Sequence, residues 1–362
     1  MIPLCHPYVT NEMRIAVYHT LKTRYIGQGP RVDEFEKDFQ RFGGYPVAVG
    51  SGTDALHIAY IMAGIRPGDE VLTPVFTCSA ANQTLLHMGA ELVFVDIDEQ
   101  LNPDPIDIAR KITKSTKAIV TVDYAGLPAN YSAIRGLAEK YRIPIIEDSA
   151  HAPGAMWGDK VVGSFSDFTT FSFQAIKHIT TGDGGMVVCQ KEDDARKAKL
   201  LRWFGLDREK KLKDMHHWEG DISINGYKYQ MTDIAASMGI ESLKELDNQL
   251  VYRKKLVDKY RELLPSSILL DVPTDRTSAN WLMTVLVERR EELMAHLEQK
   301  GIEVSPLHYR NDRYTILRQF KNYCPNMDML EHKILCLPLN MQVTEDEVEF
   351  ISNEIKTFYE TK

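Results

Sequence analysis

Residues 68–98, GDEVLTPVFTCSAANQTLLHMGAELVFVDID, hold the pattern that decides the fold. Short apolar runs at Glu70–Leu72 and Leu92–Val95 flank a helical stretch, Cys78–Met88, and such runs read as strands buried in a sheet. The alternation continues with strands at Ala118–Val122 and Pro144–Ile146 and a helix at Tyr131–Tyr141. It predicts an α/β fold, a mostly parallel sheet with helices on both faces. Asp96–Asp98, Asp123–Gly126 and Asp148 each follow a strand end. Polar residues therefore collect on one edge, where open α/β sheets bind ligands.

Downstream, Phe168–Val188, FTTFSFQAIKHITTGDGGMVV, reads as strand, loop, turn and strand. Lys177 sits in that loop, short of water and near backbone amides, conditions that lower an amine's pKa and suit it to attack a carbonyl. Taken alone it reads as a solvated surface lysine. Nearer the first motif, Ile143–Ala155, IPIIEDSAHAPGA, ends a short buried strand in Glu147 and Asp148. A strand-end Asp and a loop Lys are what pyridoxal phosphate needs: an amine for the Schiff base and a carboxylate to keep the pyridine nitrogen protonated. Asp148 reads alternatively as the cap of a following helix.

Upstream, Met13, Ala16, Val17 and Leu21 have helical spacing, and a turn at Ile26–Pro30 leads to a helix at Val32–Phe42. A strand at Pro46–Val49 is followed by Gly50-Ser51-Gly52-Thr53 and a helix from Asp54 that stops at Gly64. Small residues at a helix start let a phosphate reach the unpaired amides. The same turn serves as ordinary capping, and it is no Walker loop, since no GK[ST] follows. Beyond Val188 come helices at Asp193–Trp203, Thr232–Glu245 and Gln249–Leu264, with Arg208–Lys213 read as a solvated loop. A boundary at Leu264-Pro265-Ser266 divides a large domain, 1–264, from a small α+β domain, 265–362. The latter carries a strand at Trp281–Val287, helices at Arg290–Lys300 and Glu345–Tyr359, and an extended segment at Leu335–Leu339.

The 362 residues are 44% hydrophobic and 26% charged, the composition of a soluble globular enzyme. A net charge of -8 argues against binding to nucleic acid or anionic membranes. Met1–Thr10 has no apolar core of a signal peptide, and no apolar run approaches the ~18 residues of a membrane span, so a cytoplasmic protein is expected. Cys5, Cys78, Cys189, Cys324 and Cys336 are scattered, without a CxxC pair. Free thiols are expected, with neither a disulfide framework nor a metal site.

The segments GQGPRVDEFE, VGSGTDALHIAY, GDEVLTPVFTCSAAN, FVDID, EDSAHAPGA, FSFQAIKHITTGDGG, GYKYQMTDIAASMG and LPL occur in this order. On them the chain resembles, over essentially its whole length, the DegT/DnrJ/EryC1/StrS family of pyridoxal-phosphate sugar aminotransferases. The resemblance implies the aspartate-aminotransferase-like fold (fold type I) and a homodimer with shared active sites. It also implies transfer of an amino group from L-glutamate to a nucleotide-linked keto sugar.

By that resemblance Lys177 is the Schiff-base lysine, Asp148 the partner of the pyridine nitrogen, and His151 a neighbour of the phenolic oxygen. Ser172 and the amides of Gly52 and Thr53 match the phosphate ligands, while Tyr25, Gln28, Thr180, Thr181 and His308 fall on the substrate. A lysine rather than a histidine at 177 favours transamination over dehydration. Three departures stand out. Cys78 replaces the family's aromatic ring-stacking residue. Lys228 replaces an Asn that reaches the partner subunit's cofactor phosphate, keeping a donor and adding charge. The HYPxPLH pattern becomes LHYRNDRYT, in which His308 alone matches. The loop KHITTGDGG resembles that of members that aminate C-4, implying a 4-keto-6-deoxy acceptor and a 4-amino-4,6-dideoxy product for surface polysaccharide or glycoconjugates. A C-3 aminotransferase, a dehydratase or epimerase on the same site, and a non-catalytic sensor remain alternatives.

Overall fold

Seven strands form the central sheet of the computed structural model, which describes residues 1–208 and 221–360. They are β1 (Tyr45–Val49), β2 (Glu70–Pro74), β3 (Glu91–Val95), β4 (Thr116–Val122), β5 (Ile145–Asp148), β8 (Phe168–Ser172) and β9 (Gly185–Cys189). The short strands β6 (Met156–Trp157), β7 (Lys160–Val161) and β10 (Arg276–Thr277) form a separate small sheet. The large sheet runs β1-β9-β8-β5-β4-β2-β3. β2 pairs in parallel with β3 and β4, β4 with β5, and β5 with β8. β9 runs antiparallel to both β8 and β1. The expected mostly parallel sheet is therefore present.

Alternate side chains of each strand feed different faces, as the two-residue period of a strand dictates. Val47, Val49, Val187 and Cys189 enter one core. Ala48, Met186 and Val188 enter the other, where Phe35, Phe39, Phe171 and Phe173 pack edge to face and Phe42 lies tilted against Phe39 and Phe171. With both faces covered, ligand access is left to the strand ends. Those of β2, β4, β5 and β8 lie on one edge, and the register sets Asp148 beside Val122 and Thr170.

Local capping starts the helices where the spacing predicts. Ser51 accepts from the Asp54 amide at the start of helix Gly52–Met62. Asn130 accepts from Ala133 N ahead of Tyr131–Tyr141, and Thr232 from Ala235 N ahead of Asp233–Lys244. Helix Pro30–Phe39 has no such cap of its own. Its Gly29, Arg31 and Val32 amides donate instead to the carboxylate of Asp233, some 200 residues away.

The C-terminal part builds a second layer on the antiparallel pair β11 (Met283–Leu286) and β12 (Ile334–Leu337). Helices Arg290–Gln299 and Glu345–Glu360 pack on it, and helix Leu246–Leu263 adds Leu256 and Tyr260 to the same core. The expected strand at Trp281–Val287 starts two residues late. Asn280 takes a left-handed φ of 52°, and the Trp281 amide donates to Ala125 O rather than to a strand partner. Helix Pro105–Lys111, opened by Asp104 and Pro105, was not expected from the periodicity. Residues 209–213 of the Arg208–Lys213 run lie outside the described residues. Among the described residues no helix is long and apolar enough to cross a membrane, and the five cysteines are free.

Candidate active site

β8 ends at Ser172, and the chain then folds back over the strand ends in a loop tied to itself. Phe173 N donates to Gly184 O, Thr181 N to Phe173 O, and Lys177 N to Gln174 O. These bonds hold Lys177 over the end of β5, where Asp148 stands. Burial pushes the Lys177 amine down to about 8, while the charge of Asp148 pulls the other way. Burial raises Asp148 to about 6; the Ala150 amide and Lys177 oppose the rise, and Asp123 adds to it. Two groups of opposite charge, Asp148 buried and Lys177 half-buried, thus each sit near the edge of ionisation, a condition suited to proton transfer at neutral pH. No helix follows Asp148, whose carboxylate accepts from Ala150 N at 3.2 Å in a turn. The helix-cap alternative therefore falls away.

Three rings complete this wall. His151 stacks on Trp281 with centroids 3.8 Å apart, and His308 lies parallel to His151 at 5.4 Å. Burial, reinforced by the Lys177 charge, holds His151 well below the usual imidazole range and pushes His308 down to about 3. Both imidazoles are thus neutral, and His151 Nδ1 and His308 Nε2 are buried without a partner. Unpaired buried polar atoms are costly, so these two are available to a ligand. Behind Asp148, Asp123 accepts from Ser149 Oγ, Ala129 N and Tyr131 Oη, while Glu147 accepts from Thr169 Oγ1. Burial raises both acids.

Gly52 opens the helix that follows β1, and its missing side chain matters. A Cβ there would lie 2.8 Å from Ser172 Cβ and 3.1 Å from Ser172 Oγ. The first amides of an eleven-residue helix, at Gly52 and Thr53, thus share one place with the Ser172 hydroxyl. That donor set fits a phosphate. Together with the carbonyl-seeking amine of Lys177, the ring-nitrogen partner Asp148 and the two orphaned imidazole nitrogens, the residues present fit pyridoxal phosphate. Cys78 is exposed at the start of helix Ser79–His87, within electrostatic range of Lys177.

Other expected residues stand apart. Among the described residues, Tyr25, Gln28 and Lys228 share no hydrogen bond, ion pair or ring contact with Lys177. Tyr25 is exposed beside Arg24, and Gln28 Oε1 is buried without a partner. Lys228 is exposed; its sequence neighbours Tyr227 and Tyr229 stack on each other. Thr180 and Thr181, which the resemblance sets against the substrate, make bonds within the loop. Thr180 Oγ1 accepts from Gly182 N and lies 3.5 Å from Phe173 O, and Thr181 Oγ1 donates to Asp183 O. Both are buried, so their hydroxyls serve the loop's own backbone. Trp281 was missed as a site residue because it was counted into a strand; its one local signal, the preceding Asn280, favours a left-handed break.

A sheet closed by a second layer, with a lysine and an aspartate at its strand ends, defines the class of fold type I aminotransferases. The sequence pattern of the DegT/DnrJ/EryC1/StrS aminotransferase family matches residues 7–356. The spore coat polysaccharide biosynthesis protein SpsC of Bacillus subtilis is 32% identical, with 98% of this chain and 96% of SpsC covered. The crystal structure of the sugar aminotransferase CalS13 from Micromonospora echinospora superposes with a TM-score of 0.93 at 28% identity, covering 99% of this chain and all of CalS13. Spr1654 of Streptococcus pneumoniae, solved in PLP and PMP forms, reaches a TM-score of 0.95 in the PMP form at 28% identity, with both chains fully covered. The chain belongs to the DegT/DnrJ/EryC1/StrS family, as a pyridoxal-phosphate-dependent sugar aminotransferase.

Proposed function

We propose that the protein moves an amino group from L-glutamate to a nucleotide-linked 4-keto-6-deoxy sugar. The product is a 4-amino-4,6-dideoxy sugar nucleotide, made for a surface polysaccharide or glycoconjugate. The observation that carries the reading is the Lys177–Asp148 pair, each group near its point of ionisation at the ligand edge of the sheet. Bound pyridoxal phosphate supplies a carbonyl for amines and a ring that takes up the electron pair left on the substrate carbon. Lys177 Nζ anchors it, and after displacement carries a proton from the glutamate α-carbon, then returns one to the sugar carbon in the second half of the cycle. Asp148 holds the ring nitrogen protonated. Gly52 N, Thr53 N and Ser172 Oγ would bind the phosphate, and the unpaired His151 Nδ1 and His308 Nε2 would serve the phenolic oxygen and the sugar.

The polysaccharide role draws support from SpsC, whose name records one. The C-4 position is supported by the TTGDGG loop, where Thr180 and Thr181 act through the loop's shape. We further propose a homodimer in the cytoplasm, with Lys228 reaching the partner subunit's cofactor phosphate, and a domain boundary at 264/265. Incubation with glutamate and either the 4-keto or the 3-keto-6-deoxy nucleotide sugar, followed by NMR location of the new amine, tests the reading. Nitrogen at C-4 is expected, and none in Lys177→Ala; nitrogen at C-3 would overturn the assignment.

A further inference from the structure

Trp281 takes no part in the chemistry described so far, yet it lies directly beneath the amine on which that chemistry turns. Lys177 Nζ is 3.5 Å from the centre of the indole ring. The ring is held from several sides. Its Nε1 donates to Ile176 O, in the residue before Lys177; its backbone N donates to Ala125 O, and its backbone O accepts from Arg253. His151 stacks on it. An ammonium drawn out of water regains from an aromatic face part of what it loses in hydration.

The other titratable groups acting on the amine offer less. Asp148 is given over to the ring nitrogen when the cofactor is bound. Cys78 and Cys5 are thiols, while the charge of Lys177 is felt by His151, His308 and His178, which are neutral or repel it. The indole is the remaining support for a displaced Lys177.

We propose that Trp281 is a positioning residue: its indole face is the resting place of the Lys177 amine whenever that amine is not bonded to a carbonyl, keeping it charged and in reach between proton transfers. The inference rests on Lys177 being the amine displaced during turnover.

The test uses the full-length chain stripped of cofactor, with lysines carrying ¹³C at Cε; the Lys177 signal is the one that Lys177→Met removes. Its methylene is expected upfield, in the indole ring current. In Trp281→Leu the signal should lose that shift and titrate about one pH unit lower, with Trp281→Phe in between. Replacing all four tryptophans by a fluorinated tryptophan keeps the packing, weakens the aromatic face and lowers the titration too, which decides the matter if Trp281→Leu does not fold. In the holoenzyme Trp281→Leu should slow the glutamate half-reaction about tenfold at unchanged KM, with its acidic limb moved to lower pH, because the free amine is the base. An unshifted methylene, or a titration indifferent to both Trp281→Leu and fluorination, overturns the proposal. Failure of the aminotransferase reading shows differently: the wild-type holoenzyme would then show no glutamate-dependent bleaching of the cofactor's colour, and bleaching that persists in Lys177→Met would mean that Lys177 is not the displaced amine.

Discussion

Asp148 and Lys177 shift in opposite directions for one reason, the loss of water around each charge. The consequence for stability has a definite sign. A carboxyl raised from 3.8 to about 6 in the folded chain stabilises it fully below pH 3.8, and that contribution is lost as pH rises to 6. An amine lowered from 10.5 to about 8 contributes above 10.5 and loses its contribution as pH falls through 8. The cofactor-free site is therefore weakest between about 6 and 8, where both groups are charged. Asp148→Asn removes the acid limb, so between pH 4 and 6 the cofactor-free variant should gain on wild type as pH rises. Urea denaturation at several pH values checks this, and parallel profiles would count against it. The same variant should retain bound cofactor yet turn over orders of magnitude more slowly, because an amide cannot keep the ring nitrogen protonated.

Among the elements, the loop from Phe173 to Gly184 and the turn from Gly27 to Pro30 show two ways of positioning a residue. The first is set mainly by local bonds: its backbone-to-backbone hydrogen bonds join residues at most eleven apart, which is why Lys177 was legible, while Ser242, Gln249, Ala279 and Trp281 tie it to the rest of the fold. The second depends on Asp233, which accepts from three amides at the start of helix Pro30–Phe39 while its own amide donates to Gly27 O. Removing that carboxylate strands the buried Val32 amide and two half-buried ones at the positive end of a helix. Asp233→Ala should cost about 2–3 kcal/mol in urea denaturation, with Asp233→Asn milder. Because the turn carries Gln28 and lies next to Tyr25, KM for the sugar should rise more than KM for glutamate. Equal effects on both would separate the turn from the substrate.

At the scale of the whole molecule, the central question is whether one chain makes a site. Lys228 is exposed and remote in contacts from Lys177, as a residue serving a neighbouring subunit would be. If it does, Lys177→Ala and Lys228→Glu chains, each nearly inactive alone, should complement when refolded together. Half the dimers would then be mixed, each with one intact site, giving about a quarter of wild-type activity. Absence of recovery would place Lys228 on its own subunit's site or on none.

The parallel sheet, its ligand edge, the Lys177 loop, the Asp148 strand end and the capped helix at Gly52 were legible in the chain itself. Each shows in a local pattern, the alternation of buried strand and helix or a cap or turn made by near neighbours, even where the strands then pair at long range. Tertiary structure alone decided the rest. The stack of Trp281, His151 and His308 joins three segments. Asp233 caps a helix some 200 residues earlier. The hydroxyls of Thr180 and Thr181 turn into their own loop because packing against Ser242 and Gly239 buries them. Such contacts form only when the core closes, and side-chain direction at that point follows from packing, which no local pattern encodes.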